Sequence, residues 1–196
     1  MNIYRSEKKI YDTVSKNLKR ITSLKLNKHH VTRLISSVYF DTDDLFHFNR
    51  SEEGITPRSK FRVRNYNNQK IYSLEIKSKV DEISNKKIMK LKRFNLNEIR
   101  NLIYKTSSER LFPKLKVIYK RKYYLSSEKK IRYTFDYSIK FLKLDKNCKI
   151  LNTYNDLKSV IEVKKNNQIY HSELEDMYGG DITRFSKYCE GIKKFY

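Results

Sequence analysis

The chain has 196 residues, enough to bury a substantial core, and a single domain over residues 1–196 is the expectation. Its 44 Lys+Arg against 22 Asp+Glu leave a net charge of +22, which points to a polyanion or an anionic surface as partner. Cys148 and Cys189 stand far apart with no CxxC or Cys/His cluster, which argues against a disulfide scaffold or a zinc site and suits a reducing, cytoplasmic compartment.

Residues 3 to 9 alternate as a first strand, with Arg5, Glu7 and Lys9 on one face. No apolar signal-peptide core follows, nor any run near the ~20 apolar residues that span a bilayer. Ile10, Val14, Leu18 and Ile21 recur at helical spacing and predict an amphipathic helix. After a polar turn at Asn27-Lys28, residues 34–42 read as a strand, and Asp43-Asp44 as the cap of a short helix running through Phe48. Gly54 and Pro57 mark a loop.

The stretch from Pro57 to Lys79 is the most regular. Arg58, Lys60, Arg62 and Arg64 share one strand face while Phe61 and Val63 take the other. Across an Asn67-Asn68 turn, Tyr72, Leu74 and Ile76 form an apolar face opposite Glu75, Lys77 and Lys79, so a β-hairpin with a mixed-charge surface is expected. Residues 83–94 read as a strand or a loop, and Leu96, Ile99, Leu102 and Ile103 as a helix that Pro113 stops. Strands are then expected over 115–125, 131–141 and 160–165, a helical stretch near 173–177 broken by Gly179-Gly180, and a last short helix after residues 181–188.

Charged strand faces are usually solvated surface. Here, however, arginines at 58, 62, 64, 121 and 132 are interleaved with Glu7, Glu75 and Glu162 at similar places in their strands. Part of the lysine excess belongs to a composition rich in Asn, Ile and Tyr, so the arginines carry more information than the lysine count. The guanidinium fork suits phosphate oxygens and the carboxylates suit hard divalent cations, so together they describe a site for a metal-bound phosphate chain. A nucleic-acid groove has no use for acids on its binding face, and Phe61, Tyr133 and Phe135 fall opposite the charges, as core residues do. A P-loop is disfavoured by only 4 glycines and no GxxxxGK[ST]. His29, His30, His47 and His171 read as surface or loop residues.

Arg5-x-Glu7-x-Lys9, Ser37-Val38-Tyr39-Phe40-Asp41-Thr42, Lys60-x-Arg62-x-Arg64-x-Tyr66, Leu74-Glu75-x-Lys77, Tyr119-x-Arg121, Ile131-Arg132-x-Thr134-x-Asp136, Ile161-Glu162-Val163-Lys164 and Phe185-Ser186-Lys187-Tyr188 follow one another in this chain. In that order and over almost its whole length, the sequence resembles the VTC domain, the polyphosphate-polymerase domain of the vacuolar transporter chaperone family in the triphosphate tunnel (CYTH-like) superfamily. The resemblance implies an α+β fold: a closed antiparallel β-barrel of about eight strands forming a polar tunnel, with helices outside. It implies phosphate binding by Lys9, Arg62, Arg64, Lys77, Arg121, Arg132 and Lys187 and metal binding by Glu162. Arg5, Glu7, Lys60, Glu75, Tyr119, Lys164 and Arg184 are further candidates for the same site.

The implied reaction passes the γ-phosphate of ATP to inorganic polyphosphate with Mn2+ or Mg2+, without a specific nucleic acid. The family's frequent companions, an SPX regulatory domain and membrane helices, have no counterpart in this sequence, so membrane association is expected only through a partner protein. Two alternatives remain open: a triphosphatase of the same superfamily, and a non-catalytic module that binds polyphosphate or nucleic acid. The superfamily's hydrolases typically open with ExExK, and this chain has Arg5 at the first of those positions.

Overall fold

The computed structural model describes residues 6–24, 26–81, 83–126, 131–165 and 181–196. The expected helical stretch near 173–177, Gly179-Gly180, His171 and Arg5 lie outside them. Nine strands and four helices are described: β1 (Ser6–Thr13), α1 (Val14–Ser23), β2 (Asn27–Asp41), α2 (Phe46–Glu53), β3 (Arg58–Tyr66), β4 (Tyr72–Val80), β5 (Ile83–Leu91), α3 (Leu96–Ser107), β6 (Phe112–Leu125), β7 (Arg132–Leu144), β8 (Ile150–Asn155), β9 (Lys158–Lys165) and α4 (Lys187–Ile192). The strands form one sheet in the order β1-β9-β7-β6-β2-β3-β4-β5, with β8 paired to β7. Its hydrogen-bonded path ends at β1 and β5 among the described residues.

The chain falls into two compact units, with boundaries within β2, β6, β7 and β8 and before α4. One comprises residues 1–33, 119–139 and 155–185. Here β9 lies between β1 and β7, with Lys9 opposite Glu162 and Glu162 opposite Thr134. Alternation sends Ile10, Tyr133, Phe135, Ile161 and Val163 to a core completed by Ile21 of α1. The strand therefore continues four residues past the expected helix start, and Thr13 caps α1 by accepting from Lys16 N at 3.4 Å. Ile10 belongs to the strand, and Leu18 is exposed. Asn17 and Ile21 face inward, with Asn17 donating to the Ser159 carbonyl at 3.1 Å.

The other unit comprises residues 34–118, 140–154 and 186–196. Its β3–β4 hairpin turns through Asn67 and Asn68, both at positive φ, a conformation asparagine tolerates. Val38, Phe40, Phe61, Val63, Leu74 and Ile76 pack with Ile99 and Ile103 of α3 into its core. Residues 83–91 are a strand paired to β4 throughout. Asn95 caps α3, which ends at Ser108 in the left-handed region; Pro113, expected to stop it, is already in β6. The first turn of α2 is capped by Asp41 and Thr42, not by Asp43-Asp44. Asp41 accepts from His47 N at 3.0 Å and Phe48 N at 2.9 Å, and Thr42 Oγ1 from Phe46 N at 2.9 Å. A side chain on the strand's last turn reaches the helix N–H groups because Leu45 reverses the backbone at φ 60°.

Candidate functional site

Each unit carries one face of dense charge, built by strand register. In the hairpin unit, Tyr39, Arg62 and Glu75 lie side by side on β2, β3 and β4, with Ser37, Arg64 and Ser73 in the next row and Lys60, Lys77 and Lys86 in another. Arg62 donates to Glu75 Oε2 through Nε at 2.9 Å and Nη2 at 2.6 Å, and to the Tyr39 hydroxyl at 3.3 Å. Lys86 approaches the same Oε2 at 3.1 Å and Arg64 at 4.0 Å, while Arg64 Nε donates to Ser37 Oγ at 3.1 Å. Burial pushes the Glu75 carboxyl up, but Arg62, Arg64 and Lys86 outweigh it and bring its pKa down to about 2. Tyr39, 5% exposed, is likewise opposed by burial yet made more acidic by Arg62, Arg64 and Lys187.

Residues of the C-terminal segment join this face. Lys60 Nζ donates to Ser186 Oγ at 2.9 Å, and Tyr188 stacks on Tyr39 with ring centres 5.1 Å apart. The Tyr188 hydroxyl donates to Asp41 Oδ2, tying α4 to the capped end of α2. Lys187 is half-buried and Lys77 exposed.

In the other unit, Arg121 grips the fully buried Asp136 with both edges of its fork, Nε to Oδ1 at 2.5 Å and Nη2 to Oδ2 at 2.6 Å. Its guanidinium lies 5.4 Å from the ring centre of buried Tyr119 and 3.8 Å from Glu162 Oε2. Lys164 pairs with Glu162 Oε1 and stands 3.4 Å from Glu7 Oε2, so one ammonium bridges two carboxylates. Lys9 pairs with Glu7 at 2.8 Å and donates to the Phe185 carbonyl at 3.2 Å. Burial and Glu162 resist ionisation of Glu7, but Lys9 and Lys164 prevail and lower its pKa. Burial likewise raises the Glu162 pKa, and Lys164, Arg121 and Lys9 more than reverse it.

Among the described residues no three His, Cys, Asp or Glu side chains converge as a metal cage. Glu162 and Glu7 would nevertheless suit a hard divalent ion by the chemistry of their donors, since both stay anionic and Lys164 already bridges them. Arg132 and Arg184 are exposed; Arg132 lies opposite Lys164 in register. Ser37, Tyr39, Asp136 and Ser186 lie in the motifs that carry the family resemblance, yet neither they nor Lys86 are among the residues expected at the site. His47, expected on the surface or in a loop, lies in α2, is 3% exposed and is bonded to Glu109 at 2.8 Å. Strand parity alone put Ser37 and Tyr39 on one face, but their partners required the β2–β3 register.

The model of the VTC domain family matches residues 4–196. This chain belongs to the VTC domain family. Solved structures similar to this member include a conserved hypothetical protein from Pyrococcus furiosus, at 13% identity and TM-score 0.59, covering 95% of this chain and 99% of that one. A putative adenylate cyclase from Bacillus halodurans is 13% identical at TM-score 0.57, covering 97% and 96%. The putative adenylyl cyclase HpAC1 from Hippeastrum, with a dominant triphosphatase activity, is 13% identical at TM-score 0.53, covering 96% of each chain. At such identity the likeness shows the fold, that of the triphosphate tunnel proteins. Among curated proteins the chain has no match. No helix among the described residues is long and apolar enough to cross a membrane.

Proposed function

We propose that this VTC-domain protein is a polyphosphate polymerase that transfers the γ-phosphate of ATP to the end of an inorganic polyphosphate chain. The observation that carries the reading is the arginine and lysine face centred on Glu75, where Arg62, Arg64, Lys60, Lys86 and Lys187 gather about few acids. With 4 glycines in the chain, phosphate must be cradled by side chains, and this face supplies them. Phosphoryl transfer leaves little covalent work to the protein; positioning and charge neutralisation suffice.

In this reading Arg62 and Arg64 grip the triphosphate, with Lys77 and Lys187 beside them. Arg121, held in one orientation by Asp136, and Arg132 bind phosphate on the other charged face, together with Lys9. Glu162, with Glu7, holds Mn2+ or Mg2+, which when bound supplies further charge neutralisation to the phosphate oxygens. A terminal phosphate has its second pKa near 6, so it is already anionic at neutral pH and the site needs no strong general base. In this reading the protein acts in the cytoplasm and a partner protein can hold it at a membrane.

The test is incubation of nuclease-free protein with ATP and Mn2+. Acid-labile polymer and ADP support polymerisation, whereas ATP bound without turnover leaves a polyanion-binding module. A triphosphatase is the second reading, favoured by the Glu7–Glu162 carboxylate pair, which can orient water. Arg5 separates the two: a cation at that position concentrates polyphosphate against water. Arg5→Glu is expected to lower the ratio of polymer to free phosphate at matched ATP consumption. If the unaltered protein yields free phosphate alone, the triphosphatase reading replaces the polymerase.

A further inference from the structure

Phe112 and Lys114 project from the face of β6 opposite to Leu115 and Val117, and three cations gather on the Phe112 ring. The Arg100 guanidinium of α3 lies 4.6 Å from the ring centre, Lys146 Nζ of the β7–β8 turn at 4.6 Å and Lys114 Nζ at 6.0 Å. Asp43 is the acid of the group, accepting from Lys114 at 3.0 Å through Oδ1 and from Lys146 at 2.7 Å through Oδ2. Two positive charges therefore remain uncompensated within the cluster. Among the described residues the Arg100 side chain makes no hydrogen bond or ion pair, so its planar fork of N–H donors can take an added acceptor. The Lys114 side chain is only 9% exposed, so its ammonium is held in place by its surroundings and is not one of many loose surface lysines.

We infer that Arg100, Lys114 and Lys146 form a second phosphate-binding site, separate from the Arg62–Glu75 face, that takes a condensed phosphate chain. Three cations gathered around one ring repel each other, and a multivalent oxyanion relieves that repulsion while satisfying the Arg100 fork. An acidic peptide gains less here, because its carboxylates are set apart by backbone and side-chain length whereas a condensed phosphate carries charged oxygens on adjacent units that the guanidinium fork can take together. Condensed phosphate as the particular oxyanion rests on the proposed reaction; the site itself does not.

Titration of inorganic tripolyphosphate into the full chain by calorimetry at about 0.15 M salt tests the site under strong screening. Two binding steps are expected. Arg100→Gln with Lys146→Gln weakens one of them tenfold or more and leaves the other, whereas the charge-matched Lys19→Gln with Lys140→Gln, at exposed positions elsewhere, leaves both. Asp43→Asn tightens the same step at least threefold, a gain that misfolding cannot imitate. A single step in the unaltered protein, equal losses in both double variants, or equal competition by an oligoglutamate peptide overturns the inference. Polymer synthesis is not the readout, so a protein that makes no polymer but shows the second step refutes the proposed reaction and keeps the site.

Discussion

Glu75 receives Arg62 twice and Lys86 once on the same oxygen, Oε2, and its acidity follows from that crowding. Its folded pKa of about 2 lies below the ordinary 4.5, so the carboxylate stabilises the fold fully above pH 4.5 and loses that contribution as pH falls towards 2. Glu75→Gln is expected to cost about 1–3 kcal/mol at neutral pH. Urea midpoints should show the gap between variant and parent closing as pH drops through that window. A constant gap would mean that the carboxylate is not what the arginines stabilise. Glu162→Gln is expected to abolish metal-dependent turnover while circular dichroism stays that of the parent, because a neutral amide lacks the charge a hard cation needs. Retained metal-dependent turnover would remove Glu162 from its proposed role.

At the scale of elements, α4 packs its Gly191 against β6 and β7. A Cβ there would clash with Leu115 Cδ2 and stand 2.6 Å from Phe141 Cδ1. Both side chains are fully buried and have nowhere to move, so Gly191→Ala should destabilise by about 1–3 kcal/mol, read as a lowered urea midpoint. No change would show that α4 can lift away at no cost. Leu74→Asp is expected to unfold the hairpin unit outright, since the carboxylate would enter a position 0% exposed without a partner.

The hairpin was legible because its alternation is strict and its turn is short, and that put Arg62 and Glu75 on one surface; the β3–β4 register made them neighbours. What local pattern could not supply was long-range pairing. Asp136 reads as an ordinary polar strand residue until β6 brings Arg121 to it. β8 consists of exposed residues, with no apolar alternation to announce a strand. Pro113 misled for a related reason: a proline marks a break in hydrogen bonding but does not say which element it interrupts. The α2 cap was misread because Asp41, six residues before His47, supplies it across a reversed backbone.

For the whole molecule the excess of +22 sets a choice between phosphate and nucleic acid. A binder driven by charge alone prefers the longer polyanion and loses affinity steeply with salt. Side chains arranged as here should prefer tripolyphosphate, so it is expected to compete far better than an oligonucleotide of equal charge. Because like charges strain the compact state, tripolyphosphate should also raise the melting temperature more than sodium chloride at equal ionic strength. Equal effects would reduce the protein to a general polycation.

The pairing of β1 with β9 has a consequence during synthesis. Every residue of β1 from Ser6 to Thr13 finds its partner between Lys158 and Lys165, and Lys9 accepts a further bond from Thr183 N at 2.8 Å. A ribosome adding ~5–20 residues per second makes β9 roughly 7–30 s after β1. For that interval the nascent strand has no partner, and an unpaired edge invites other chains. Its sequence carries Glu7, Lys8, Lys9 and Asp12. Two of these, Lys9 and Glu7, are the charges proposed to hold phosphate and metal in the finished protein, and they thus also help keep the waiting strand from pairing with the wrong neighbour.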